Sequence, residues 1–163
     1  MQLFDAHAHL AAPDFADDLS DVLARAESAG VRGVVTVGET LADAKRILDL
    51  AVRHPLIKPA AGLFPTILDP AAAEGAEAGY AFSIPPSVVR SPRKQKLVQR
   101  LPLECLLLET GSPVLESDPA VRNEPANVTT ACRVVAELKG VTPETVARVT
   151  TDNARRLFPR AFA

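Results

Sequence analysis

Cysteine, aromatic side chains and excess charge are all scarce in this chain, and each shortage narrows what it can be. Only two of the 163 residues are cysteine. Cys105 and Cys132 stand too far apart for the short spacings of zinc or redox motifs, so reduced structural thiols of a cytoplasmic protein are expected. Tryptophan is absent, tyrosine occurs once, and aromatics make up 4% of the chain. The formal net charge of -2 and pI of about 5.9 argue against strong non-specific nucleic-acid binding, which needs a clear basic excess. A local basic site is still allowed. No apolar run approaches the ~18 residues of a membrane span, and the N-terminus lacks the positive start and apolar core of a secretion signal. A cytoplasmic protein without membrane contact is expected, with the nucleus as the other compartment. There is no glycine-rich phosphate loop, no recognisable nucleophile arrangement, no internal repeat and no low-complexity tract.

What is present is an ordinary globular balance, 47% hydrophobic and 23% charged, in a chain long enough for one domain with a real core. The first third alternates strand and helix. QLFDAHAHL reads as a strand; the next segment places Leu19, Val22, Leu23 and Ala26 at helical spacing, and Gly30 closes it. VRGVVTVG is a buried-type strand. Thr40 can cap a helix with Leu41, Ala44, Ile47, Leu48 and Ala51 on its apolar face, and IKPAAGLF is a third strand. Strands joined by amphipathic helices imply a parallel α/β sheet, since parallel neighbours need crossovers. After a weakly periodic stretch over 66–79, YAFSIPP and ECLLLET read as further strands. Ser91-Pro92 and Thr142-Pro143 open helices, and RNEP lies in a turn-rich loop. The count is five strands, short of the eight in a closed (β/α)8 barrel of typically ~250 residues.

The residues that could carry chemistry gather at strand ends. In FDAHAHL, alternation puts Leu3, Asp5, His7 and His9 on one face, and Phe4, Ala6, Ala8 and Leu10 on the other, where they can pack on helices. Two imidazoles, with Asp5 placed to accept a hydrogen bond and orient them, fit the opening of a metal site; the sequence fits equally two histidines satisfied by backbone groups at a strand end. In LLLETGSP, Glu109 ends an apolar strand and is a candidate ligand or base; a solvated terminal acid is the plainer reading. Gly111 brings no side chain to the next position of that face. Glu39 ends a strand in VTVGET, where helix N-cap chemistry explains it equally well, and His54 falls at the opposite end of the sheet, on the surface. The cluster Arg90, Arg93, Lys94, Lys96 and Arg100 reads as a solvated helix face, with a phosphate-contacting patch as the minority reading. No aromatics are interleaved with it to stack bases.

The segments DAHAHL, GYAFSIPPSVVRSPRKQKLV, LLLETGSP, RNEPANV and VTTDNARRLFP together resemble the TatD family, and FSIPPS and KQKL resemble its TatD domain-containing 3 branch. The resemblance covers residues 1 to about 65 and about 74 to 163. It implies a TIM-barrel-derived (β/α) metallo-hydrolase fold, incomplete here, with about five of the eight parallel strands. It implies one TatD-like domain over 1–163, with an internal deletion near 66–73. It also implies a deoxyribonuclease-like hydrolase acting on DNA or a similar phosphodiester through a divalent metal ion (Zn, Mg or Mn). His7 and His9 then correspond to metal ligands and Glu109 to a catalytic carboxylate near the metal. Departures from the family pattern are equally specific. The strands carrying a glutamate and two further histidines are missing, Gly111 stands where the family has a metal-binding aspartate, and Phe64 where it usually has histidine. The expectation is therefore a weakly held ion, severely impaired hydrolysis, and a homo-dimer through exposed sheet edges. The alternative is a non-catalytic product: a truncated isoform, a pseudoenzyme or a mis-spliced gene model.

Overall fold

Short apolar runs and well-placed caps divide the chain into strands β1 (Leu3–Ala8), β2 (Val31–Gly38), β3 (Ile57–Ala61), β4 (Phe82–Ile84) and β5 (Leu106–Leu108). The helices are α1 (Leu19–Ser28), α2 (Leu41–Arg53), α3 (Pro92–Arg100), α4 (Val128–Lys139) and α5 (Pro143–Leu157). The computed structural model describes residues 1–38, 41–61 and 81–162. The expected starts of α3 and α5 are found. Ser91 Oγ accepts the Lys94 N–H at 3.3 Å and Thr142 Oγ1 accepts the Thr145 N–H at 3.2 Å, each with proline at the next position. Gly30 follows α1 with φ +93°, and the Met1 carbonyl oxygen lies 2.6 Å from where a Cβ would stand, so only glycine fits both the turn and the passing N-terminus. Thr40, Glu39 and Phe64, and the expected deletion near 66–73, lie outside the described residues.

β1, β2 and β3 form a parallel sheet in that order, and β4 pairs in parallel with β5. Two backbone bonds join these pieces. Gly111 N–H donates to His7 O and His9 N–H donates to Ser112 O, both at 2.8 Å, so the continuation of β5 runs alongside the end of β1. The result is an arc ordered β3–β2–β1–β5–β4, with all five C-terminal ends on one rim. Among the described residues β3 and β4 share no pairing, and the arc is open between them.

Two apolar clusters line the arc. The larger joins Leu3, Ala8 and Leu10 to Val22 and Leu23 of α1, Ile47 of α2, and Val135 and Val146 of α4 and α5. The smaller holds Phe4, Ala6, Val35 and Leu107 with Ala154 and the C-terminal Phe158 and Phe162; the Phe4 and Phe162 rings stack at 4.5 Å. This corrects the strict alternation expected of β1. Its pairing with β2 slips between Leu3 and Asp5 and again between Asp5 and Ala8. A one-residue slip sends later side chains to the other face, so Phe4 and Ala6 part company with Ala8 and Leu10.

Candidate functional site

His7 is the last residue but one of β1 and His9 the first beyond it, so both imidazoles stand at the strand-end rim. Their Nε2 atoms are 3.1 Å apart and their ring planes are inclined by 57°. Glu109, the first residue after β5, is buried at 8% exposure. Its Oε2 accepts the Ser83 hydroxyl at 2.5 Å and lies 3.5 Å from His7 Nδ1. β1, β4 and β5 thus each contribute a side chain. Burial pushes the Glu109 carboxyl up, while the Ser83 hydrogen bond and the charges of Lys94 and His9 pull it back. Burial lowers the His7 imidazole, favouring the neutral ring that retains a ligating lone pair.

Asp5 behaves differently from the sequence expectation. It is fully buried, and its Oδ1 accepts the backbone N–H groups of His7 (3.1 Å) and Thr110 (2.9 Å), while Oδ2 bonds Thr110 Oγ1 at 2.6 Å. Its carboxyl therefore fixes the backbone of the rim rather than orienting the imidazoles.

Whether these residues suit a divalent ion is a question of donor number and spacing. Two ligands about 2.0–2.1 Å from one ion and 3.1 Å from each other subtend roughly 100°, close to tetrahedral. The histidine pair fits as two ligands of one ion. Among the described residues no group of three or more His, Cys, Asp or Glu side chains meets as a metal site, and these residues alone do not make a two-metal centre. Gly111, with φ +63°, has Leu115 Cδ1 only 2.7 Å from where its Cβ would stand; a leucine fills the place an aspartate side chain would need.

The remaining candidates separate cleanly. Asn123 is buried and donates from Nδ2 to Thr110 O and Val114 O, both at 2.8 Å, so the RNEP loop braces the segment carrying Glu109. Glu124 is engaged by Arg25. His54 is half-buried and lines an open pocket of about 360 Å³ with Asp17, Asp21 and Arg46, apart from His7 and His9. Both cysteines are free thiols, and burial pushes Cys132 up to about 11. In the basic cluster Arg90, Arg93, Lys96 and Arg100 are exposed, whereas Lys94 is half-buried and bonds Ser87 Oγ at 2.7 Å. Sequence reasoning passed over Ser83 and Thr110, and took Lys94 only as one of five residues of a basic cluster. For Lys94 a signal existed, since a Ser91 cap fixes the orientation of the third residue of the helix.

Comparison with known proteins gives the family and the fold. A family model described as "TatD related DNase" matches residues 4–74 and 69–159. Deoxyribonuclease TATDN3 of Homo sapiens is 53% identical over 89 residues, which are 55% of this chain and 32% of that protein. The metal-dependent hydrolase YabD of Bacillus subtilis is 38% identical over 80 residues, 48% of this chain and 31% of that protein. The matches span 30% to 40% of the length of the vertebrate relatives. Among solved structures, the TatD homologue YJJV of Escherichia coli superimposes with a TM-score of 0.85 at 17% identity, covering 96% of this chain and 98% of that one. An uncharacterised amidohydrolase of Saccharomyces cerevisiae gives 0.78 at 12%, covering 97% and 100%. The fold is accordingly α/β, a partial barrel of the TatD type.

Proposed function

This chain belongs to the TatD-related DNase family, and from that premise we propose an internally shortened metal-dependent hydrolase, directed at phosphodiester bonds of DNA and severely impaired. One observation carries the reading: two imidazole nitrogens 3.1 Å apart at the strand-end rim, with no third ligand among the described residues. His7 and His9 would hold a divalent ion (Zn, Mg or Mn). When bound, such an ion supplies an acidified water and positive charge for the phosphate. Glu109 is the carboxylate of the site. Its Oε2 lies 3.5 Å from His7 Nδ1, and the Ser83 hydroxyl holds that carboxylate in place.

The impairment follows from what surrounds the pair. A catalytic metal wants at least three protein ligands and an open position. The aspartate the family supplies is replaced by Gly111, whose side-chain space Leu115 occupies. Losing such an electrostatic group costs ~10²–10³ in rate. The missing third ligand also favours the second reading, a non-catalytic product of a shortened or mis-spliced message. Transcript reads across the codons for 66–73 separate the two. Messages that include further strands with their Glu and His codons would make the parent an ordinary enzyme.

The protein test is direct. Purified chain is analysed for bound Zn, Mn and Mg and assayed on single-stranded DNA beside a His7→Ala, His9→Ala double variant. The expected result is substoichiometric metal that the double variant loses, with barely measurable hydrolysis. Robust activity abolished in the double variant would overturn the impairment; metal content and activity both indifferent to it would overturn the site. For partners, the proposal keeps DNA and a second copy pairing along β3 or β4, and light scattering that shows only monomer removes the second. No helix among the described residues is long and apolar enough to cross a membrane.

A further inference from the structure

The segment after β4 carries two serines with matching tasks. Ser83 holds Glu109, the carboxylate beside His7, and Ser87, 2% exposed, holds Lys94. The capped start of α3 places Lys94 in the first helical turn, turned toward the 86–90 turn, while Arg93, Lys96 and Arg100 of the same helix stand in solvent. Its ammonium has three N–H donors, and the Ser87 hydroxyl takes one. Glu109 lies within electrostatic reach of it, and no ion pair joins the two among the described residues. A half-buried ammonium is thus fixed at the rim with two donors that bond nothing among the described residues, beside a second cation, Arg90, whose charge acts against it.

We propose that Lys94, held by Ser87, is the anion-contacting residue of the rim site and that its ligand is a phosphate group. The proposal rests on the phosphodiester reading of the site and names the residue that would grip the substrate. An anion against Lys94 takes the spare donors and relieves the repulsion from Arg90. An ammonium tethered at one N–H by a buried hydroxyl is already oriented, so little side-chain freedom is lost on binding. Burial also lowers Lys94, a cost that an anionic partner offsets.

Binding is measured without catalysis, by anisotropy of a fluorescein-labelled oligothymidylate in EDTA over a salt series, with inorganic phosphate as competitor. Lys94→Gln keeps a donor for Ser87 and removes the charge. It is expected to weaken binding about fivefold and to reduce the salt slope by about 0.7. Lys94→Arg should retain most of the affinity, and Lys96→Ala should stay within about twofold of wild type. Phosphate that competes on wild type but not on Lys94→Gln identifies the phosphate group alone as the ligand; failure to compete means the strand is required. An affinity and slope unchanged in Lys94→Gln, an equal loss in Lys96→Ala, or no binding by the wild type would each overturn the proposal. The hydrolase reading fails separately. If the His7→Ala, His9→Ala variant binds as wild type while no preparation cleaves DNA, the phosphate site stands and the hydrolase does not.

Discussion

The segment linking β5 to α4 is fastened at two places built on opposite principles. At the seam with β1 the fastening is buried: Asp5 takes three hydrogen bonds, Thr110 Oγ1 reaches Ser112 Oγ at 3.1 Å, and Asn123 spans Thr110 O and Val114 O. At the outer rim the fastening is ionic. Arg25 grips Glu124 with Nε–Oε1 at 2.9 Å and Nη2–Oε2 at 2.6 Å, and Arg122 grips Asp18 while covering the Phe15 ring at 5.0 Å. The rim has the full charges and contacts at least as short, yet its side chains are a third to a half exposed on the arginine side. Water competes for exposed charges and cannot reach buried amides, so the seam should carry the stability and the rim little of it.

The hardest test of that contrast is Asp5. Asp5→Ala strands the N–H groups of His7 and Thr110 in a dry site and is expected to cost about 3–5 kcal/mol in chemical denaturation. Asp5→Asn should be tolerated far better at neutral pH. Burial pushes the Asp5 carboxyl up to about 7 against its three hydrogen bonds, so the folded chain keeps a proton that the unfolded chain releases near 4. The folded state then binds more protons than the unfolded one, and stability from this group falls as pH rises from about 4 to 7, by up to about 4 kcal/mol, then levels off. Denaturation in EDTA at several pH values, wild type minus Asp5→Asn, isolates the slope. A difference that rises with pH would break the assignment.

Asn123 comes next. Asn123→Ala leaves the carbonyls of Thr110 and Val114 and the N–H of Glu124 without a side-chain partner, and about 2–3 kcal/mol should be lost. A loss no larger than that of a rim variant would make the RNEP loop an ionic clamp after all. Gly111→Asp follows at about 1–2 kcal/mol, because a side chain must adopt φ +63° and displace the end of Leu115. Unchanged or raised stability would show that the loop has not settled around glycine, and that the aspartate position is still open.

The elements were legible in the sequence because their causes are local. Ser91-Pro92 and Thr142-Pro143 start helices wherever they stand, and apolar runs such as LLL make strands. The histidine pair was legible too, since a two-residue spacing keeps both rings on one side of the strand end. The register slip in β1 was not, because it is set by pairing with β2 and by a bond from Asp5 to Thr110, 105 residues away. The same holds for Ser87, the buried partner that Lys94 meets once the Ser91 cap has oriented it, and for Leu115, which only the folded loop brings over Gly111. The chemistry of the residues was readable; their partners were long-range.

The smallest effect is expected where the contacts look strongest. Arg25→Ala removes a bidentate pair with Glu124 and a 3.9 Å approach to Asp18. Its neighbours hold the guanidinium proton more tightly, the Glu124 hydrogen bond foremost, but the side chain is about half exposed and its loss should leave the melting temperature unresolved from wild type. Salt supplies the finer test. If the rim contributes anything, wild type and Arg25→Ala will converge as ionic strength rises, since screening acts on exposed charges and spares the seam. A gap that persists at high salt would mean that Arg25 works through packing of its stem against α1 and the RNEP loop, and that the two fastenings differ less than their burial suggests.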